Sequence, residues 1–144
     1  MTSPGTLADT GAIIAMIDER DPNHARCVGV LGLLTPPFLT TWCVVTETMY
    51  LLFAIGGIQA QNRLWSHLKD GRLHIVELTT DHWASMEVTM NRYADRPCDL
   101  ADASLIALAE ETGIRTAYTI DSDFLIYVLS DGSTLNPVPG PLRR

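Results

Sequence analysis

The stretch Thr6-Leu7-Ala8-Asp9-Thr10-Gly11-Ala12-Ile13-Ile14-Ala15-Met16-Ile17 begins as a short apolar run, ends that run on an acid, and continues with apolar residues at helical spacing. It predicts a strand, a turn and a helix, with Asp9 where the strand stops. The same pattern returns far downstream. Arg115 to Ile120 predicts a strand that ends at Asp121, inside Thr119-Ile120-Asp121-Ser122-Asp123-Phe124.

Between these two anchors the chain alternates. Asp21-Pro22-Asn23-His24 is a turn that starts a second helix running to about Leu34, stopped by Pro36-Pro37. Phe38 to Trp42 predicts a second strand. An apolar helix over Cys43 to Ile55 ends at Gly56-Gly57, and a more polar one runs from Gln59 to Asp70, before Gly71. Arg72 to Leu78 alternates as a strand. Thr79-Thr80-Asp81 caps an amphipathic helix to about Tyr93, Pro97 separates it from the next, and that helix spans Asp99 to Thr112, before Gly113. A last short strand is expected near Leu135 to Val138, with 137–144, rich in proline and closed by two arginines, as an extended or disordered tail. Strands alternating with helices predict an α/β domain of three layers, a central parallel sheet of about five strands flanked by helices.

At 144 residues, 47% hydrophobic and 19% charged, the composition predicts a single domain over 1–144 and excludes a large disordered region. Cys27, Cys43 and Cys98 are odd in number and far apart, so neither a disulfide framework nor a paired zinc site is expected, only reduced and mostly buried thiols. The first residues lack the basic and apolar regions of a secretory signal, which leads to a cytoplasmic expectation. The apolar stretch Cys43 to Ile58 contains Glu47 and falls short of the roughly 20 residues of a spanning helix, so it reads as a core helix and no membrane partner is expected.

The chemistry lies in the acids. In open α/β sheets ligands bind beyond the carboxyl ends of the strands, where Asp9 and Asp121 both fall. Glu47 sits in Val44-Val45-Thr46-Glu47-Thr48-Met49-Tyr50-Leu51-Leu52, and a lone carboxylate in so apolar a helix costs several kcal/mol unless it is paired, solvated or metal-bound. No basic residue lies within a turn of it. In Asp99-Leu100-Ala101-Asp102-Ala103-Ser104, Asp99 is as good a helix cap as a ligand, and Asp102 lies one turn inside a helix that continues apolar. Carboxylates converging without Lys or Arg partners repel, and a divalent cation resolves the repulsion. An all-oxygen donor set selects Mg²⁺ or Mn²⁺ over zinc. The four histidines, His24, His67, His74 and His82, match no motif and read as surface or capping groups.

Taken together, Ala8-Asp9-Thr10-Gly11-Ala12, Asp21-Pro22-Asn23-His24, Thr46-Glu47, Asp99-Leu100-Ala101-Asp102-Ala103 and Thr119-Ile120-Asp121-Ser122-Asp123-Phe124 resemble a PIN domain of the VapC toxin type, over nearly the whole chain. The resemblance implies a ribonuclease. Asp9, Glu47, Asp102 and Asp121 match its acidic metal-site and catalytic positions, Asp99 and Asp123 its auxiliary acids, and Thr119 a supporting hydroxyl. The sequence departs from the pattern at Ser122, where a basic residue often stands, and has Gly11 where Asn or Ser is also common. The resemblance further implies Mg²⁺ or Mn²⁺ as cofactor, an RNA substrate, a cognate VapB-type antitoxin and a homodimer. Arg20, Arg92, Arg96 and Arg115 are the candidates for phosphate contacts.

A net charge of −7 argues against binding a polyanion, but 17 acids less the six named leaves 11 against 10 basic residues, so the rest of the domain is near neutral. A haloacid-dehalogenase-like phosphatase would need a second acid two residues after Asp9, and a receiver domain a lysine after a late strand. The chain has Thr10-Gly11 and a single lysine, Lys69, in a polar helix. Two other readings are a PIN-fold nuclease of RNA processing without an antitoxin, and an inactive PIN-fold scaffold. An inactive relative is expected to lack an acid, and none is missing.

Overall fold

The computed structural model describes residues 3–96 and 98–142. In chain order it contains β1 (Thr6–Ala8), α1 (Thr10–Ile17), α2 (His24–Gly29), β2 (Phe38–Thr40), α3 (Trp42–Lys69), β3 (His74–Ile75), α4 (Thr80–Arg92), α5 (Leu100–Thr112), β4 (Thr116–Thr119) and β5 (Asn136–Pro139). The strands form one five-stranded sheet in the order β3-β2-β1-β4-β5. Every pair is parallel, with Leu7 beside Leu39 on one side and Ala117 on the other. The chain starts mid-sheet, moves outward through β2 and β3, then returns to build β4 and β5 on the opposite flank. The order therefore reverses between β1 and β4, the place where such sheets open a crevice at their carboxyl ends.

Parallel strands are buried on both faces and need helical cover. Leu7, Ile13, Leu52, Leu105, Leu108 and Phe124 are fully buried, each burial contributing about 1.5–3 kcal/mol. Helix α5 is the most enclosed element, with every residue from Ala101 to Ala109 buried. Helix α1 packs on α3, and α4 on α5. The predicted apolar and polar helices are continuous as α3, but broken where Gly56 has φ −144° and Gly57 φ 64°. The left-handed φ at Gly57 is one that a side chain disfavours. Helix α3 is long and apolar enough, at mean hydropathy 1.4, to pass as a membrane span. Neither segment flanking the break reaches the roughly 20 residues a span needs, and Val44, Val45, Thr48, Leu52 and Leu64 are buried in the domain.

Several expectations need correction. The second helix stops at Gly29 rather than near Leu34 and gives way to a tighter turn over Leu31–Leu33, where Gly29 and Gly32 weaken α-helix. The second strand ends at Thr40, because Thr41 caps α3 by accepting from the Val44 amide at 3.3 Å and draws Trp42 into the helix. Of Arg72 to Leu78 only His74–Ile75 pairs, at the sheet edge. The last strand, expected near Leu135 to Val138, is β5 over Asn136–Pro139, one residue further on and into the expected tail; its two prolines are tolerated because an edge strand needs no second row of donors. Pro97 and the last two arginines lie outside the described residues. Cys27 and Cys98 are buried, Cys43 is half-buried, and all three are free thiols. His82 caps α4, its Nδ1 accepting from the Thr79 amide at 2.9 Å.

Helix α5 ends at Gly113 with φ 76°, and a Cβ there would lie 2.8 Å from Ser3 Oγ. Gly113→Ala is expected to cost about 1–2 kcal/mol from left-handed strain alone, read as a lowered urea midpoint at unchanged slope.

Candidate active site

The register Ala8 to Tyr118 places the residues that follow β1 and β4 side by side. The Asp9 amide continues the ladder, donating to the Tyr118 carbonyl at 3.0 Å. Asp9 occupies the N-cap position of α1, yet its side chain makes no capping hydrogen bond. Its Oδ2 instead accepts from the Thr119 hydroxyl at 2.7 Å, and the Thr119 oxygen accepts from the Asp121 amide at 3.0 Å. Thr119 is fully buried and Asp9 nearly so. One hydroxyl thus ties the two strand-end acids together.

Polar pins bring the helical acids to the same place. Thr48 donates to the Val44 carbonyl and approaches the Thr10 hydroxyl at 3.3 Å, fixing α3 against the start of α1 and setting Glu47 beside Asp9. Thr41 and Ser104 share a buried hydrogen bond of 2.7 Å that fastens the start of α3 to α5. Asp99 is the N-cap of α5, accepting from the Asp102 amide at 2.8 Å, and Asp121 caps the turn over Ser122–Leu125 by accepting from the Asp123 amide at 2.9 Å. Helix and turn capping therefore occupy one oxygen each of Asp99 and Asp121. No such local role occupies Asp9 or Asp102.

The electrostatics mark all six as one cluster. Burial pushes the Asp102 carboxyl up to about 8, reinforced by the charges of Asp99, Asp9 and Asp121. Burial likewise raises Asp9 to about 6, opposed by the Thr119 hydrogen bond and reinforced by Asp121 and Glu47. Glu47 is raised by desolvation and by Asp99, and Asp121 by desolvation and the charges of Asp123 and Asp99. Among the described residues none of the six forms an ion pair with Lys, Arg or His.

Among the described residues no three His, Cys, Asp or Glu side chains are drawn up tightly enough to grip a metal ion as they lie. Like charges without a cation between them stand apart or keep protons. The donor set nevertheless suits a hard divalent cation: it is all oxygen, clustered, partly buried and unneutralised.

Tyr127 belongs to the site although nothing in its sequence surroundings announces it. It is fully buried and its hydroxyl donates to Asp102 Oδ2 at 3.3 Å. Its ring is held between Tyr93, at 4.9 Å, and the edge of Phe124, at 5.7 Å. Of the four arginines expected to meet phosphate, two are placed elsewhere. Arg20 lies past the far end of α1, tied to Asp18 and the Ile55 carbonyl. Arg115 precedes β4, at the opposite end of the strand from Asp121, and is spent on Asp131, Ser133 and the Ala109 carbonyl. Arg92 and Arg96 are exposed on the chain that leads into Asp99.

The family model of the PIN domain matches residues 6–128. The chain belongs to the PIN-domain family. Within it, the chain is 24% identical over 115 residues to ribonuclease VapC26 of Mycobacterium tuberculosis, covering 80% of this chain and 85% of that protein. The crystal structure of VapC20 of the same organism, described as a sarcin-ricin loop cleaving toxin, superposes with a TM-score of 0.79 at 23% identity, covering 85% of this chain and 94% of that one. This likeness fixes the PIN fold, with its five-stranded parallel sheet and flanking helices.

Two outcomes follow from the geometry of this PIN domain. Asp9 and Asp102 have folded pKa values above the ordinary 3.8, so the metal-free fold keeps protons that the unfolded chain releases. Their contribution is present below pH 4 and is lost as pH rises through about 6 and then about 8. The melting temperature of chelated protein should therefore fall between pH 5 and pH 9, and Asp102→Asn should flatten the upper part of the fall. A rise across that window would contradict the assignment. Tyr127→Phe, which removes one buried hydrogen bond, is expected to cost about 1–2 kcal/mol, read as a lowered urea midpoint.

Proposed function

We propose that this PIN-domain protein is a metal-dependent endoribonuclease, the toxin of a VapBC-type pair, hydrolysing RNA phosphodiesters. One observation carries the reading: six carboxylates gather at the carboxyl ends of β1 and β4 with no basic partner among the described residues. The relationship to ribonuclease VapC26 supports the choice of RNA.

In this reading Asp9, Glu47, Asp102 and Asp121 would hold Mg²⁺ or Mn²⁺. A cation bound there supplies Lewis acidity toward the phosphate and makes a water more acidic. The protein's own residues do the positioning. Thr119 fixes the Asp9 carboxylate by its hydrogen bond, Tyr127 fixes Asp102, and the capping roles of Asp99 and Asp121 lock the backbone that carries them. Asp123 adds negative charge at the rim. Of the four candidate arginines, Arg92 and Arg96 remain to meet RNA phosphate, exposed on the chain that leads into Asp99. No side-chain nucleophile is required.

The same acidic cluster would accept an arginine from a VapB-type antitoxin, which would neutralise the acids without turnover. Tyr50, Phe53 and Ile58, all more than half exposed on α3, give an apolar face that a second copy would cover, which supports a homodimer. The cytoplasm is where such a toxin would meet its RNA.

Purified protein is expected to cleave single-stranded RNA with Mg²⁺ or Mn²⁺, to stop on chelation, and to resume when metal is restored. Asp9→Asn and Asp121→Asn should each reduce the cleavage rate about 100-fold or more. Full activity in either variant, measured on a defined oligoribonucleotide, would overturn the proposed site.

A further inference from the structure

A cavity of about 640 Å³ opens between the start of α3, α4 and the first residue of α5. Its walls include two tryptophans that the carboxylate chemistry leaves unused. Trp83 is 66% exposed and Trp42 46% exposed, a large indole area for a surface to leave in water. Met86 and Met90 line the same space. The Trp42 ring is held in place, its indole N–H donating to Glu77 Oε1 at 2.9 Å.

Two features say what the cavity takes. It neighbours the carboxylate site: Cys43 lines it and lies one turn before Glu47 on the same face of α3, and Leu100 lines it and follows Asp99. Its polar lining is acceptor-rich and lacks cations, with Glu77, Glu87 and Asn91 but no Lys or Arg. The Asn91 amide N–H₂ is engaged by the Glu87 carbonyl at 2.9 Å, which leaves its side-chain oxygen turned to accept. Such a lining repels phosphate. It suits the flat face of a nucleobase, with an exocyclic amino group donating to a carboxylate or amide oxygen.

We infer that this cavity is a base-binding subsite, in which an unpaired nucleobase next to the scissile phosphate stacks on Trp83 and Trp42 and presents an amino edge to Glu87 or Asn91. The inference rests on the ribonuclease reading and deepens it by assigning a specificity determinant. Adenine, cytosine and guanine carry the amino group, whereas uracil offers only its ring N3–H, so the subsite favours amino-bearing bases over uracil at one position.

The test uses full-length Asp9→Asn protein, which keeps RNA intact, and short single-stranded oligoribonucleotides differing at one position, followed by tryptophan fluorescence. Binding of an adenine-containing oligonucleotide should quench the indoles, with affinity lowered about tenfold by Trp83→Ala and by an abasic nucleotide at that position. Trp83→Phe should retain most of the affinity, and Glu87→Gln should narrow the difference between cytosine and uracil. Equal affinities for Trp83→Ala and the parent, in protein of unchanged melting temperature, would overturn the subsite while cleavage by the wild type leaves the ribonuclease reading intact. Trp83→Ala that binds RNA normally but no longer assembles with a co-expressed antitoxin would likewise overturn it, making the cavity a protein interface. Absence of RNA cleavage by the wild type with Mn²⁺ would overturn the underlying reading instead.

Discussion

The parallel pairing of β1 with β4 governs the rest of the molecule. Because Ala8 lies opposite Tyr118, the next residues of both strands emerge at one edge, and Thr119 comes within hydrogen-bonding distance of Asp9. The pairing joins segments from opposite ends of the sequence, and it sits where the strand order reverses. A one-residue slip would turn the strand's side chains to the opposite faces and separate the two acids. The acidic edge is in this sense a property of the sheet, and the helices are arranged to deliver further acids to it.

That delivery has an electrostatic cost which the surrounding structure bears. Glu47 and Asp102 are carried toward Asp9 on helices anchored by buried hydroxyl pairs, Thr48 with Thr10 and Thr41 with Ser104. Tight packing along α5, where nine consecutive residues are buried, leaves Asp102 little freedom to retreat. The raised carboxyl pKa values of Asp9 and Asp102 come first from burial, and the charges of the neighbouring acids add to it. On the proposed reading, a bound cation or an arginine from a partner would relieve the same repulsion, so loading and inhibition would act through one set of charges.

The sequence made the strand-end acids legible because Asp9 and Asp121 each close an apolar run, a local pattern. The break at Gly56-Gly57 and the cap at Asp99 were visible for the same reason. Asp99 was equally readable as cap or ligand, and its bond to the Asp102 amide shows that capping is at least part of its work. Tyr127 was invisible, since its link to Asp102 spans 25 residues and depends on how Tyr93 and Phe124 seat its ring. Arg115 misled because its partners, Asp131 and Ser133, meet it only after β4 is placed. The last strand was legible near Leu135 to Val138, but its extension to Pro139 was not, because pairing with β4 is what holds the prolines in the sheet.

The most direct test of the proposed metal site is crystallographic: crystals soaked in Mn²⁺, with anomalous scattering used to locate the ion. The expected result is a peak ligated by oxygens of Asp9 and Asp121, with Glu47 and Asp102 within reach directly or through water, and loss of that peak in Asp9→Asn crystals. A peak elsewhere on the molecule, with none among these four carboxylates at saturating Mn²⁺, would contradict it.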